Sequence, residues 1–294
     1  MKYYRIGSSF LGLALLISPT VWAGQKVEEV RDMAPDGHLL LENVAGSVEV
    51  TGWNQNRLEI KGTLGDDVEE LEISELGNGL RVRVRNKQGS HNIDNTDLYI
   101  HLPATSSIEI ITVSADIEVT DSEGESIALQ SVSGDIDVSA SPQRLEIESV
   151  SGDVEFEGGA PRSSVETVSG DISLEGLDGE VEVSTVSGEL SLRTGAVARG
   201  HFESVSGDIE LDLAVDDNGR LVAQSMSGDV KVILPALQQA EFSAQTFSGR
   251  IHSDFGEAGK IAKGPGSRLE FGTGKNGASI SLESFSGNIS LGHK

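Results

Sequence analysis

An acidic residue follows a Ser-Gly or Ser-Ala pair in most segments of the chain, and it is the first candidate for chemistry. These carboxylates are Asp116, Asp135, Asp153, Asp171, Glu189, Asp208 and Asp229. Stacked carboxylates repel one another, and a hard cation such as calcium, which prefers several oxygen ligands, would bridge them. Alternatively, they are solvated turn residues whose oxygens accept hydrogen bonds from nearby backbone N–H groups. The sequence lacks the glycine-rich nonapeptide calcium repeat, which favours the turn interpretation.

A hydroxyl residue lies two positions before the serine of each repeated Ser-Gly pair. The members are Ser131, Ser149, Thr167, Thr185, Ser204, Ser225, Thr246 and Ser284. A flat, exposed row of hydroxyls could bind ice or a glycan. However, each lies two positions after a regularly apolar residue, so strand alternation points it inward or into a bend. We therefore predict buried hydroxyls that are hydrogen-bonded to backbone carbonyls.

Catalytic constellations are hard to find in this sequence. The carboxylates are too numerous for any pair to stand out, and the short linkers leave little chain to build a pocket. We expect the repeat-region cations to be scattered over varied turn positions, namely Arg144, Arg162, Arg193, Arg199, Arg220 and Lys231. The histidines show no zinc-site spacing, and His201, beside Phe202, is predicted to be a surface residue. We predict no catalytic, cofactor-binding or metal-binding residues and no cofactor. A carbohydrate-active β-helix enzyme remains an alternative.

These residues belong to one repeated motif of the form hydroxyl–apolar–Ser-Gly–acid–apolar. It reads SVSGDI at Ser131–Ile136, TVSADI at Thr112–Ile117 and SFSGNI at Ser284–Ile289. The motif glycines are Gly134, Gly152, Gly170, Gly188, Gly207, Gly228, Gly249 and Gly287, spaced 18, 18, 18, 19, 21, 21 and 38 residues apart. Because the last gap is twice 19, we expect one degenerate coil around Arg268–Thr273.

Two short alternating runs in each period are typical of half-buried strands, such as Leu145–Glu148 and Asp153–Glu157. Two strands and two turns cannot bury a face alone, whereas stacked copies can pair strand to strand. The prediction is an all-β, parallel β-solenoid (β-helix) of about ten 18–21-residue coils, right-handed by default, with neighbouring coils ~4.8 Å apart.

Stacking places each motif position in a column, and we expect three apolar columns to form the core. The first contains Val132, Val150, Val168, Val186, Val205, Met226, Phe247 and Phe285. The second contains Ile136, Val154, Ile172, Leu190, Ile209, Val230, Ile251 and Ile289. The third contains Leu129, Ile147, Val165, Val183, Phe202, Ala223, Ala244 and Leu282. The motif glycine indicates a bend with positive φ or close backbone approach, and Ala115 at that position predicts a different bend in the first coil.

The chain divides into three parts. Residues 1–23 combine Lys2 and Arg5, the apolar run Phe10–Ile17 and a small-residue cleavage site before Gly24, which predicts a secretory signal peptide; an uncleaved amphiphilic start is the alternative. Residues 24–104 are less regular and are predicted to form an N-terminal β cap region. Residues 105–294 are predicted to form the solenoid domain.

The composition of the chain excludes several classes of partner and of chemistry. The formal net charge is −25, which argues against nucleic acid and anionic lipid. The chain has no cysteine, so disulfides and thiol chemistry are excluded. No later stretch approaches 18 consecutive apolar residues, so no transmembrane segment is predicted.

The TVSGDI-type repeats, the strand Leu98–Pro103 before them and the segment Ser284–Leu291 resemble the bacterial β-strand-repeat family named putative adhesins, a family of unknown function. The resemblance spans Leu39 to Leu291 and implies an exported or envelope-linked β-solenoid, with some members tied to envelope stress. It supplies no catalytic residues. The acid of the motif is missing at Arg250 and Asn288.

The segment Ser279–Leu291 is expected to be the last coil, with an exposed edge that docks onto a partner or a second copy. The alternative is that the short end strand and Lys294 keep the protein monomeric. These observations predict an exported, non-enzymatic interaction or scaffold protein that binds a protein or glycan of the cell envelope. The periplasm is the first expectation, and the cell surface or exterior the second. A calcium-stabilised surface adhesin is a further alternative.

Overall fold

The computed structural model describes residues 24–89, 93–236, 238–255, 259–260, 266–273 and 277–294. Within these residues the chain is all-β and β-solenoid-like, with no helix. The described residues accordingly contain no helical membrane span. The predicted signal peptide, residues 1–23, and His91 lie outside the described residues.

The strands follow one another with short connections. In the first part they are β1 (Gln25–Asp32), β2 (His38–Trp53), β3 (Arg57–Leu64), β4 (Val68–Leu76), β5 (Gly79–Asn86), β6 (Thr96–Pro103) and β7 (Ser107–Thr120). The repeats contain β8 (Ser126–Ser133), β9 (Ile136–Ser139), β10 (Arg144–Ser151), β11 (Val154–Glu157), β12 (Arg162–Ser169), β13 (Ile172–Glu175), β14 (Gly179–Ser187), β15 (Leu190–Ser204), β16 (Ile209–Ser225) and β17 (Val230–Leu234). The last are β18 (Ala240–Thr246), β19 (Ile251–Ser253), β20 (Gly259–Lys260), β21 (Ser267–Gly272), β22 (Ala278–Ser284) and β23 (Ile289–His293).

Equivalent strands of successive repeats pair in parallel and in register. Before the Ser-Gly bend, Ile147 of β10 lies between Leu129 of β8 and Val165 of β12. After the bend, Val154 of β11 lies between the corresponding residues of β9 and β13. The long strand β15 joins both sets, because its start pairs with β13 and its end pairs with β14. Each motif position therefore forms a column along the stack.

Two of the three predicted core columns are buried, and the third is not. The column of Ile147 is buried throughout, and the column of Val154 is buried except at Ile251, which is partly exposed. The predicted column of Val168 is exposed, so its assignment to the core was wrong. Strand alternation explains this: Val165 and Val168 are three positions apart, so one of them must point outward.

The hydroxyl column is buried, as predicted, from Ser131 to Ser284. The Thr246 hydroxyl donates to the Gly287 carbonyl at 2.8 Å, and the Ser284 hydroxyl donates to the Gly228 carbonyl at 3.1 Å. At Ser149 the hydroxyl has no hydrogen-bond partner among the described residues. The prediction of bonding to carbonyls thus holds for the later repeats and not for every repeat.

The motif glycines bend the chain for the predicted reasons. Gly170 has a φ of +150°, and a Cβ there would stand 2.1 Å from the carbonyl oxygen of Gly152. Gly228 lacks the positive φ, but its Cβ would stand 2.1 Å from the Gly207 oxygen. At Ala115 the strand β7 continues unbroken, whereas β8 and β9 are separate, so the first coil does bend differently.

The last repeat in sequence is not the last in space. Strand β22 pairs in parallel with β16 on one side and β18 on the other, and β23 lies between β17 and β19. The expectation that Ser279–Leu291 forms an exposed end coil was therefore wrong. Self-association through that edge loses its structural basis.

An antiparallel strand takes the place of the expected degenerate coil at Arg268–Thr273. Strand β21 runs antiparallel to β18, with Leu269 opposite Ala244 and Phe271 opposite Phe242. The two phenylalanine rings stack at 4.5 Å between centroids. This cover, rather than another repeat, closes the outer side of β18.

Strands β1 to β6 lie at the other end of the stack. Strand β2 pairs in parallel with β7, placing Leu39 beside Ile108 and Val48 beside Ile117. On its other side β2 meets β5 and β6, and antiparallel strands lie beyond these, with β4 on β5 and β3 on β6.

Candidate functional site

Nine apolar side chains project from the stack in one line, which we call the exposed apolar ladder. In spatial order they are Val113, Val132, Val150, Val168, Val186, Val205, Met226, Phe285 and Phe247. Each is between 42% and 60% exposed. Isolated exposed apolar residues are ordinary on protein surfaces, but a continuous line of them is not.

Backbone hydrogen bonds fix the spacing of the exposed apolar ladder. The Ser206 N–H donates to the carbonyl of Val186 at 2.9 Å, and the Ser227 N–H donates to that of Val205 at 2.9 Å. The rungs are thus held about 4.8 Å apart by the sheet itself. The spacing of the rungs is therefore set by the backbone of the sheet.

The ladder becomes aromatic towards the C-terminal repeats. Phe247 and Phe285 stack with 4.9 Å between ring centroids and 6° between planes. Valine rungs present a narrow ridge, whereas these rings present a broad apolar plate. The surface therefore offers different apolar shapes along its length.

A shallow groove runs beside the exposed apolar ladder. One stretch, of about 500 Å³, is lined from Ile111 to Val186, and the next, of about 800 Å³, from Thr167 to Phe285. Its far wall is the outward column two positions before the ladder, which includes Glu148, Glu166, Glu203 and Glu283. The buried hydroxyl column forms the floor. The groove is open along its length, which suits an elongated partner better than a small molecule.

The predicted acidic column lies beyond the Ser-Gly bend, three positions after seven of the nine rungs. The Asp153 N–H donates to Oδ1 of Asp135 at 3.0 Å, and the Asp171 N–H donates to Oδ1 of Asp153 at 2.8 Å. The Asp229 N–H accordingly reaches Oδ1 of Asp208 at 2.7 Å. This geometry confirms the turn interpretation. Among the residues described, no cluster of three or more histidine or acidic side chains could hold a metal ion.

Four arginines form a column that the sequence analysis missed. Arg144, Arg162, Arg199 and Arg220 align with Glu180 in one register and line a groove of about 620 Å³ at the far edge of the same sheet. The expectation that these cations are scattered was wrong. Each lies five positions before the hydroxyl of its repeat, a spacing visible in the sequence. Arg199 pairs with Glu180 within this column, whereas Arg193 and Lys231 lie outside it and pair with Glu175 and Glu210.

The histidines of the described part do not come together. His201 is partly exposed, as predicted, and its Nε2 lies 2.9 Å from Oε1 of Glu203. His38 pairs with Glu109 at 3.3 Å, at a distant point of the stack. These are local surface contacts.

The chain was compared with known protein families and with curated proteins. The family model described as Toastrack DUF4097 matches residues 38–292. This match confirms the resemblance to the adhesin-named family of unknown function that was inferred from the repeats. No curated protein matches the chain.

Solved bacterial structures also match the chain. A putative adhesin from Bacteroides fragilis is 15% identical, covers 92% of this chain and 97% of its own, and has a TM-score of 0.49. A putative adhesin from Parabacteroides distasonis is 8% identical, with 91% and 97% covered and a TM-score of 0.37. A putative cell adhesion protein from Clostridium sporogenes is 11% identical, with 92% and 100% covered and a TM-score of 0.25.

Proposed function

We propose that this chain, which belongs to the Toastrack DUF4097 family, is an exported, non-enzymatic, adhesin-like interaction protein of the bacterial cell envelope. Its scaffold would be a parallel β-solenoid of about ten coils, residues 105–294 being the repeat domain and residues 24–104 the cap region. Residues 1–23 would act as a signal peptide that directs the chain to the periplasm, or beyond it to the cell surface, and is then removed.

The exposed apolar ladder is the observation that carries this proposal. Eight intervals of about 4.8 Å give nine rungs a length of roughly 38 Å. Large contiguous apolar patches on a protein surface commonly mark contacts with other macromolecules. Covering half-exposed side chains such as Val168 and Phe285 removes apolar area from water, which favours association.

The polar columns favour a scaffold role over catalysis. A general acid or base must be free to exchange a proton with substrate. In the acidic column, Oδ1 of Asp153 and Oδ1 of Asp171 accept backbone N–H groups of the following repeats. These carboxylates stabilise the stack, which supports a structural role for them.

Site-specific crosslinking in intact cells tests the proposal. A photoreactive phenylalanine analogue replaces Val168 on the ladder or, as the control, Ser173, which is exposed on the other sheet face. We expect an adduct with an envelope protein or glycan from position 168 and not from position 173. The triple variant Val150→Thr, Val168→Thr, Val186→Thr, probed with the crosslinker at Val205, should lose the adduct while keeping its thermal stability. Equal adducts at both positions would contradict the proposal.

A further inference from the structure

We infer that the exposed apolar ladder binds a cationic amphipathic helix, a polypeptide segment with apolar residues on one face and lysine or arginine along both edges of that face. The inference rests on the proposed function and specifies the chemistry of the partner. Its grounds are the charges that flank the ladder and the spacing of the rungs.

Acidic residues lie on both sides of several rungs along the chain: a glutamate stands two positions before four of the nine rungs, and a carboxylate stands three positions after seven of them. Val150 stands between Glu148, two positions before it, and Asp153, three positions after it. At Val168 the flanking residues are Glu166 and Asp171. All four carboxylates are exposed, and among the described residues none of them forms an ion pair with the chain's own cations. The Val150 and Val168 rungs thus have carboxylates on both sides that the chain's own described cations do not neutralise.

This charge pattern selects among possible occupants. A second copy binding ladder to ladder would bring these carboxylates against those of its partner, which is unfavourable. An anionic lipid surface would meet the same repulsion. Cationic side chains on both edges of an apolar face would instead complement Glu166 and Asp171 across Val168. The formal net charge of −25 would also speed the encounter with such a partner.

The rung spacing favours a helix over an extended peptide. An α-helix advances 5.4 Å per turn, close to the rung spacing of about 4.8 Å, so over about four consecutive turns an apolar residue lies near a rung. An extended strand repeats a side chain on one face every ~6.8 Å, which leaves the rungs after one or two residues. A helix of about 25 residues would span the ladder.

The change in charge along the acidic column also predicts which rungs should lie opposite the cationic edges of the helix. At the Phe247 and Phe285 rungs the acidic column is replaced by Arg250 and Asn288. The helix should therefore place its lysines or arginines over the valine rungs. Its bulkiest apolar residues should lie against the stacked phenylalanines.

Fluorescence anisotropy with defined peptides tests the inference on the mature protein. The probe is a labelled 25-residue leucine–lysine peptide with one apolar helical face. One control has the same composition with the face scrambled, and another has glutamate in place of lysine. We expect the probe to bind about tenfold more tightly than either control, and added salt should weaken its binding. Equal binding of the scrambled peptide, or no binding of the probe, would overturn the inference.

Two variants separate the contribution of charge to the binding affinity from that of apolar contact. Asp153→Asn with Asp171→Asn should weaken probe binding severalfold while preserving the turn, because Asn288 accepts the Arg250 N–H through its amide oxygen. The Val150→Thr, Val168→Thr, Val186→Thr triple should weaken binding at high salt as well. Unchanged affinity in either variant would contradict the corresponding half of the inference.

The experiments distinguish failure of the helix inference from failure of the proposed function. A ladder-dependent adduct at position 168 in cells, together with no peptide binding in vitro, would reject the helix and leave the interaction role standing. Sedimentation of the mature protein and binding to phosphatidylglycerol-containing vesicles complete the test. Ladder-dependent self-association or vesicle binding in place of peptide binding would likewise reject the helix.

Discussion

Phe285 stacks on Phe247 with 4.9 Å between ring centroids, although the antiparallel strand β21 separates the two residues in the chain. The Phe285 N–H donates to the Ser225 carbonyl at 3.0 Å, and the Phe247 N–H donates to the Ser284 carbonyl at 3.1 Å. The repeat of Phe285 is therefore enclosed between two repeats that precede it in sequence. The packing of strand β18 consequently depends on residues far along the chain.

Leu282→Ala should destabilise this enclosed repeat strongly. Leu282 is 1% exposed and lies beside Ala223 and Ala244, so neighbouring small side chains cannot fill the cavity. We expect a loss of about 2–5 kcal/mol, measured by thermal unfolding, with earlier proteolytic cleavage in β18. Phe285→Ala is the matched control, because its half-exposed ring loses a stacking contact of about 0.5–1.5 kcal/mol. Equal losses would contradict the buried position of Leu282.

Gly170→Ala should destabilise the stack at the Ser-Gly bend. The φ of +150° strains any other residue, and the added Cβ would stand 2.1 Å from the Gly152 carbonyl oxygen. The expected cost is roughly 2–4 kcal/mol, measured as a fall in Tm. Gly159→Ala is the control, since nothing lies within 4 Å of a Cβ there, and it should leave Tm nearly unchanged. A tolerated Gly170→Ala would argue against the close approach.

Asp171→Ala and Asp171→Asn should differ in stability. Asp171 accepts the Glu189 N–H at 2.8 Å and, through its own N–H, donates to Asp153. Alanine removes the acceptor and should cost about 1 kcal/mol, whereas asparagine keeps an acceptor oxygen and should cost less. Thermal melts of the two variants, run side by side, measure the difference. If both variants melt together, the carboxylate contributes nothing through this hydrogen bond.

Strand alternation made much of the core predictable. The column of Ile147 and the hydroxyl column share one parity, so their burial follows from the sequence, down to the buried Thr246. The same parity excludes Val168 from the core, yet its apolar character suggested the opposite. An apolar residue on the wrong parity was the available signal for the exposed apolar ladder. Hydrophobicity alone cannot separate a core column from an exposed one.

The order of the last repeats could not be read from local patterns. Strands β18 and β22 carry equivalent motifs, and Ala244 and Leu282 would fit either order of stacking. Strand β21 pairs antiparallel through Leu269 and Phe271, and its alternation is the same as that of a parallel strand. Long-range packing determines both the stacking order of β18 and β22 and the antiparallel direction of β21. The family match covers residues 38–292 and does not determine the spatial order of the repeats.

Two glutamates of β2 should respond to pH in opposite directions. Burial, followed by the charges of Glu118 and Asp97, raises the pKa of Glu49. Hydrogen bonding to Arg83, at 2.8 Å between Nη2 and Oε1, lowers the pKa of Glu42 below its usual value of 4.5. Ionised Glu49 therefore opposes folding above its raised pKa, and this penalty disappears below pH 4.5. Glu42 stabilises the fold above pH 4.5 and loses that effect as pH falls through its lowered pKa.

Glu49→Gln should accordingly raise Tm by about 1–3 °C at pH 7 and leave it unchanged near pH 3.5. Glu42→Gln is the matched comparison and should lower Tm at pH 7, by an amount equivalent to about 0.2–1 kcal/mol, because the ion pair is partly exposed. Both variants are followed by circular dichroism melts between pH 3.5 and pH 7 at constant ionic strength. A fall in Tm for Glu49→Gln at pH 7 would show that its carboxylate is favourably solvated, and that the like charge of Glu118 does not govern its ionisation.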